Sequence, residues 1–170
     1  MRISYLKERP ELVLQLIPGL LEHWRYVVPD DTVEARAARF RTHENQDSLP
    51  VAWIAHEGDI ALGTSALRQY DHPDRKDLSP WLGGMYVEPH ARRRGVGAQL
   101  AHVAERKAVQ LGHSKLYLFT HGQEPFYAEQ GWTYMEPTNW RGLNCSIMWR
   151  VPRARTSPAR TRAEARTGGR

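Results

Sequence analysis

Apolar residues recur with two different periods along this chain. "ISYL" near the start, residues 3–6, reads as a short strand. Leu12, Leu16, Leu20 and Trp24 then follow at four-residue spacing, which puts them on one face of a helix over residues 10–27. Pro18 and Gly19 lie inside that helix and are expected to kink or divide it. Asp31 and Glu34 have the spacing of a capping box and open a second helix over residues 32–44. Residues 48–70 read as two strands around a tight turn at Glu57-Gly58-Asp59. A polar loop, residues 72–80, leads to the buried strand "WLGGMYV", which Glu88-Pro89 stops. From Gly97 to Gly112 the stripe of Leu100, Val103, Ala104, Ala108 and Leu111 predicts the clearest helix of the chain. "KLYLF" is a strand, "QEPFYAEQ" a brief helix, and "GWTYME" and "NCSIMWRV" two closing strands with a longer loop between them. The predicted order is β-α-α-β-β-β-α-β-α-β-β, without an internal repeat or a second domain.

Composition narrows this picture. A chain of 170 residues that is 41% apolar can bury one core. No run of about 18 apolar residues occurs, so no membrane span is expected. The start, "MRISYLKERPEL", turns charged too soon for a signal peptide, and the expected location is cytoplasmic. Cys145 stands alone, which excludes an internal disulfide; in its alternating strand it reads as a buried structural thiol. The histidines show no metal-binding spacing, and no metal is expected. The net charge of +5 resides in the segment from Pro152 to Arg170, so residues 1–151 are neutral. The expected organisation is a domain over residues 1–151 and a disordered, Arg-rich tail over 152–170. A neutral body argues against a specific nucleic-acid face.

One segment carries the strongest chemical signal. In "VEPHARRRGVGAQL", Arg92-Arg93-Arg94-Gly95-Val96-Gly97 follow a strand and open a helix. A helix start presents unpaired amides and the positive end of the macrodipole. Glycines at 95 and 97 leave room for an anion, and arginine adds forked contacts to phosphate. A solvated basic turn is the plainer alternative. The P-loop and the dinucleotide fingerprint both fail, because Ala98-Gln99 and Leu100 stand where Lys-Ser/Thr and the third Gly belong.

This segment resembles motif A of the GNAT superfamily of N-acetyltransferases, Arg/Gln-x-x-Gly-x-Gly/Ala, with Arg92, Gly95 and Gly97 in the defined places. "FYAEQGW" is similar to a second segment of that family, with Phe126, Tyr127, Gly131 and Trp132 matching. The resemblance implies a mixed α/β (α+β) single domain with a mostly antiparallel sheet, one splayed strand pair and flanking helices. It implies acetyl-CoA as cosubstrate, its arm on Met85, Tyr86 and Val87, and its pyrophosphate on Arg92, Arg93, Arg94, Gly95, Val96, Gly97 and Ala98. It implies Tyr127 as the acid that protonates the leaving thiolate, and a backbone amide, that of Val87, facing the oxyanion. An amine would attack the thioester directly. Thr120 and Gln123 depart from the family's Asn and Ala, and the stretch "FTHGQEPFY" is similar to protein N-terminal acetyltransferases of the actin-modifying type. Glu22, Trp24, His121 and Trp140 are the candidates for the acceptor side. The expected partner is a small-molecule or peptide amine, with no membrane, and a homodimer is left open. The alternative is a non-catalytic CoA-binding or protein-interaction module on the same fold.

Overall fold

The computed structural model describes residues 1–153. Seven strands form one sheet in the order β1-β2-β3-β4-β5-β7-β6. They are β1 Arg2–Tyr5, β2 Val51–Glu57, β3 Ile60–Arg68, β4 Trp81–Val87, β5 Leu116–Thr120, β6 Thr133–Trp140 and β7 Leu143–Arg150. Four helices, α1 Val13–Trp24, α2 Val33–Arg41, α3 Val96–Gln110 and α4 Glu124–Glu129, complete the predicted order. Every strand pair is antiparallel except β4 with β5, which run parallel and are paired only at Trp81 and Tyr117. The mostly antiparallel sheet and its splayed pair are thus present.

The alternation of strand residues divides the core in two. On one face α3 seats Leu100, Ala101, Ala104 and Ala108 against Leu62, Leu82, Leu118 and Met148. On the other, Leu12 of the preceding turn and Leu16 and Leu20 of α1 pack with Ile54, Ala66 and Tyr86. Each such leucine contributes about 2 kcal/mol through burial alone.

Four local expectations are corrected. Pro18 does not divide α1, which runs on as one helix after a 3-10 turn over Pro10–Leu12. The residue four places earlier, Leu14, is exposed, so water can satisfy the carbonyl that Pro18 leaves free. Gly19 serves packing: a Cβ there would stand 2.0 Å from the Tyr86 hydroxyl. The cap of α2 is Thr32, whose Oγ1 accepts from the Ala35 amide at 3.1 Å. Asp31 instead pairs with Arg36 and Arg39. The last two strands are longer than expected and meet at a two-residue turn, Arg141-Gly142, both with positive φ, in place of a long loop. Pro137 does not stop β6 because β6 is an edge strand, where a missing N–H leaves no partner unsatisfied. Finally, Pro152 is buried and the Arg153 amide donates to Glu105 Oε1 at 2.8 Å, so the packed chain runs two residues past the expected boundary. Residues 154–170, the rest of the expected tail, lie outside the described residues. Among those described, no helix is long and apolar enough to cross a membrane.

Candidate active site

The site begins where β4 and β5 part. After Trp81 the edge of β4 that faces β5 carries no ladder. The Glu88 amide donates to Leu62 of β3 at 2.9 Å, which sets the phase of the strand. Val87, one residue back, therefore turns its amide and carbonyl to the open edge, and Met85 shares that phase. The Met85 and Val87 side chains lie together, 3.9 and 3.7 Å from the point where a Cβ on Gly97 would stand. Tyr86 is the exception among the three predicted contacts. It pairs with Thr64 of β3, and its side chain is buried against α1, donating to Glu88 Oε2 at 3.3 Å. Tyr86 is therefore turned away from the open edge, as strand alternation requires.

A bulge interrupts β4 just before this point. The register with β3 shifts between Thr64 and Ala66, and Gly84 adopts φ +60°. The bulge falls beside the open edge, where it re-aims the strand. The tandem Gly83-Gly84 was its signal in the sequence.

Past Val87 the chain turns into α3. Gly95 caps the helix with φ +76°, a conformation that suits glycine. Among the described residues the amides of Val96, Gly97 and Ala98 have no acceptor. The three arginines do not act alike. Arg92 Nε donates to the Val87 carbonyl at 3.1 Å. Arg94 Nη2 turns to Glu57 of β2 at 2.7 Å. Arg93, itself at φ +60°, is exposed and has no ionic partner among the described residues. Of the three residues expected to hold phosphate, Arg94 is paired with Glu57, Arg92 braces the strand end through Nε, and Arg93 alone has no partner among the described residues. Val96 is 1% exposed in the core, so only its amide is available. Gly97 is needed for contact with Phe126, whose Cζ would be 3.2 Å from a Cβ. Arg93→Ala is accordingly expected to weaken CoA binding about three- to tenfold, less so at high salt, through loss of one phosphate contact. Arg94→Ala should change it little, since its ion pair is half exposed and worth less than about 1 kcal/mol. Calorimetric titrations of both variants check this.

Tyr127 sits on α4 next to Phe126, whose ring lies against Gly97 of α3. Its ring packs edge-on against Phe126 and Trp132, at 5.0 and 6.0 Å. The residue is 7% exposed within the main core. Its hydroxyl has no partner among the described residues. It is also absent from the sealed polar atoms that lack one, namely Arg36 Nε, Ser79 Oγ, Trp132 Nε1 and Arg150 Nε. The ring is buried and the hydroxyl remains reachable. Burial pushes its pKa above that of free tyrosine, so it stays protonated at neutral pH.

The opposite face of the gap is aromatic. Trp24 at the end of α1 meets Trp140 at the end of β6, with ring centroids 5.6 Å apart. Trp140 meets Phe119 of β5 at 5.7 Å, and Phe119 meets His72 and Trp81. Trp24 and Trp140, far apart in sequence, are thus brought together. Glu22 is not with them: it is exposed and paired with Arg25 at 2.7 Å. His121 is exposed in the loop after β5, its Nδ1–H donating to the Asn144 carbonyl at 2.8 Å. His23 lies nearer, its ring 4.9 Å from Trp24 and 5.9 Å from Tyr86. Burial, and then the Arg92 charge, hold its pKa below the usual 6.5. Cys145 is buried, as expected of a structural thiol, and burial raises its pKa. No group of three or more His, Cys, Asp or Glu among the described residues is placed to hold a metal.

A polar cluster beneath this face had no counterpart in the sequence reading. Arg68 Nε donates to His43 Nε2 at 2.9 Å, and His43 Nδ1–H donates to the Arg39 carbonyl at 2.8 Å. His43 is therefore neutral. Burial, and then the Arg68 charge, lower its pKa from 6.5 to about 4. A depressed value means that the unfolded chain takes up a proton first. The stability this site contributes is full above pH 6.5 and is lost as pH falls toward about 4. Melting temperature is expected to drop across that window, and His43→Gln should flatten the drop.

An open strand edge, orphaned amides at one end of it and an aromatic wall on the far side bound one cleft. The sequence matches the model of the acetyltransferase (GNAT) family over residues 15–132, and the chain belongs to that family. Its members are acyltransferases that draw on acetyl-CoA. No curated protein matches the sequence. Solved structures share the fold. An aminoglycoside 6'-N-acetyltransferase complexed with coenzyme A superposes with TM-score 0.69 at 17% identity, covering 92% of this chain and 100% of its own. The aminoglycoside 6'-N-acetyltransferase from Enterococcus faecium gives 0.67 at 16% identity, covering 92% and 100%. The ribosomal-protein-alanine N-acetyltransferase from Brucella melitensis gives 0.64 at 15% identity, covering 89% and 99%.

Proposed function

We propose that this acetyltransferase moves the acetyl group of acetyl-CoA to a primary amine by direct attack of the amine on the thioester. The observation that carries this reading is the open edge of β4, accessible from two faces. On the α3 side, the orphaned amides of residues 96–98 and the free Arg93 suit a pyrophosphate. On the α1 side, Trp24 and Trp140 wall a separate approach. Two substrates can therefore meet in the gap without displacing each other.

Bound acetyl-CoA supplies the acetyl group as an activated thioester. The amides of Val87 and Met85 offer two donors along one edge, about 7 Å apart by strand geometry. Val87 lies nearer the phosphate end and holds the arm. Met85 lies nearer the acceptor face and, in place of the Val87 amide that the resemblance implied, stabilises the oxyanion as it develops. Tyr127, protonated and reachable, gives its proton to the departing thiolate. His23, held unprotonated, is a basic group on the acceptor face. The module alternative assigns no work to a reachable Tyr127 hydroxyl. Free-thiol release from acetyl-CoA with a panel of amines tests the reading. Release that depends on an amine supports it, and CoA binding without turnover overturns it.

A further inference from the structure

Gly83 and Gly84 leave the middle of β4 bare, and side chains from elsewhere occupy that space. A Cβ on Gly83 would stand 2.3 Å from Asp71 Oδ2, and one on Gly84 would stand 3.1 Å from an Arg68 Nη2. Asp71 is thus pressed against the strand. Its Oδ1 accepts from Arg68, which is in turn fixed by His43. Asp71 is 13% exposed at its side chain, yet Oδ2 has no hydrogen-bond partner among the described residues. Nor is Oδ2 among the sealed unpartnered atoms, so it keeps some contact with solvent. A largely buried carboxylate oxygen without a partner is costly unless a donor arrives.

The surroundings indicate the donor. Asp71 precedes His72, which is anchored by Thr138 Oγ1 at 3.0 Å and packs on Phe119 and Trp81. Phe119 continues the aromatic wall through Trp140 to Trp24. A carboxylate on the same face of the sheet as this aromatic wall favours an organic cation, by charge and by the ring quadrupole. Gly83 lies two residues before Met85 along β4, across the bulge at Gly84. A nitrogen held at Oδ2 is therefore close to the carbonyl that the Met85 amide would polarise.

We propose that Asp71 Oδ2 docks the acceptor's ammonium, which releases one proton to solvent before its nitrogen attacks, so that the acceptor is an aliphatic primary amine, cationic at neutral pH, entering between Trp24 and Trp140. This rests on the acetyltransferase reading above. Arg68 and His43 position the carboxylate, and the bare glycines let it lie on the strand.

The test compares 2-phenylethylamine, a cation at neutral pH, with aniline, which is neutral there. Asp71→Asn keeps the acceptor for Arg68 and removes the charge. Gly83→Ala keeps the charge and pushes the carboxylate off β4, which covers the case that Asp71→Asn does not fold. Each variant is expected to lose at least about tenfold in kcat/KM for 2-phenylethylamine, and less than about twofold for aniline, because only the cation needs the buried partner. The Kd for acetyl-CoA should be unchanged. Equal losses on both amines, or none in either variant, overturn the docking role and leave the acetyltransferase reading intact. If wild type releases thiol with no amine at all, that reading falls, and the docking role with it.

Discussion

Tyr127→Phe is expected to turn over at least about 100-fold more slowly than the parent, the loss associated with removing a general acid. The substitution deletes a hydroxyl that has no partner among the described residues and leaves the ring against Phe126 and Trp132. Melting temperature should therefore hardly move. Acetyl-CoA affinity should hold as well, because the proposed phosphate contacts lie at the start of α3. The pH profile adds a second check. Burial raises the tyrosine pKa, so the hydroxyl remains protonated through the alkaline range in which a free tyrosine titrates. Activity should show no fall from this group up to about pH 10. A Phe variant with parental turnover would make Tyr127 a packing residue only.

Gly97→Val is expected to weaken acetyl-CoA binding at least tenfold, or about 1.4 kcal/mol. The cause differs from the one the sequence alone suggested. A branched side chain at 97 does not meet open space in which an anion would sit. It meets the Phe126 ring, 3.2 Å from the new Cβ, and then Val87 and Met85. The first turn of α3 and the start of α4 are forced apart, which disturbs the amides of residues 96–98 and displaces Tyr127, next to Phe126. Gly97→Ala should show a smaller loss, since the ring need yield by only a few tenths of an ångström. Undiminished affinity in a calorimetric titration of folded Gly97→Val would remove this account of the cleft.

Much was legible before any coordinates. The stripe at Leu12, Leu16 and Leu20, the stripe from Leu100 to Ala108, and the apolar runs of β2 to β4 are local patterns, and each determined its element. Local chemistry also determined where α3 starts, because Gly95 and a preceding strand need no distant partner to be read. What failed depended on neighbours remote in sequence. Pro18 sits in an unbroken helix because Leu14 faces solvent, and Pro137 sits in a strand because β6 lies at the sheet edge. Arg94 was indistinguishable from Arg93 until β2 brought Glu57 to it.

The acceptor side shows the same division more sharply. The sequence could offer Trp24 and Trp140 as aromatics and Glu22 as an acid, but it could not say which would meet. Folding brought the two tryptophans into contact and left Glu22 in solvent with Arg25. It also placed Asp71, just before the polar loop of residues 72–80, against Gly83 of β4. The family resemblance and the element order follow from short-range periodicity and spacing, which one chain carries by itself. The division of labour among three arginines, the reason for Gly97 and the position of Asp71 are contacts between elements. Only the tertiary structure decided them, because a side chain's partner is set by where the sheet and helices carry it.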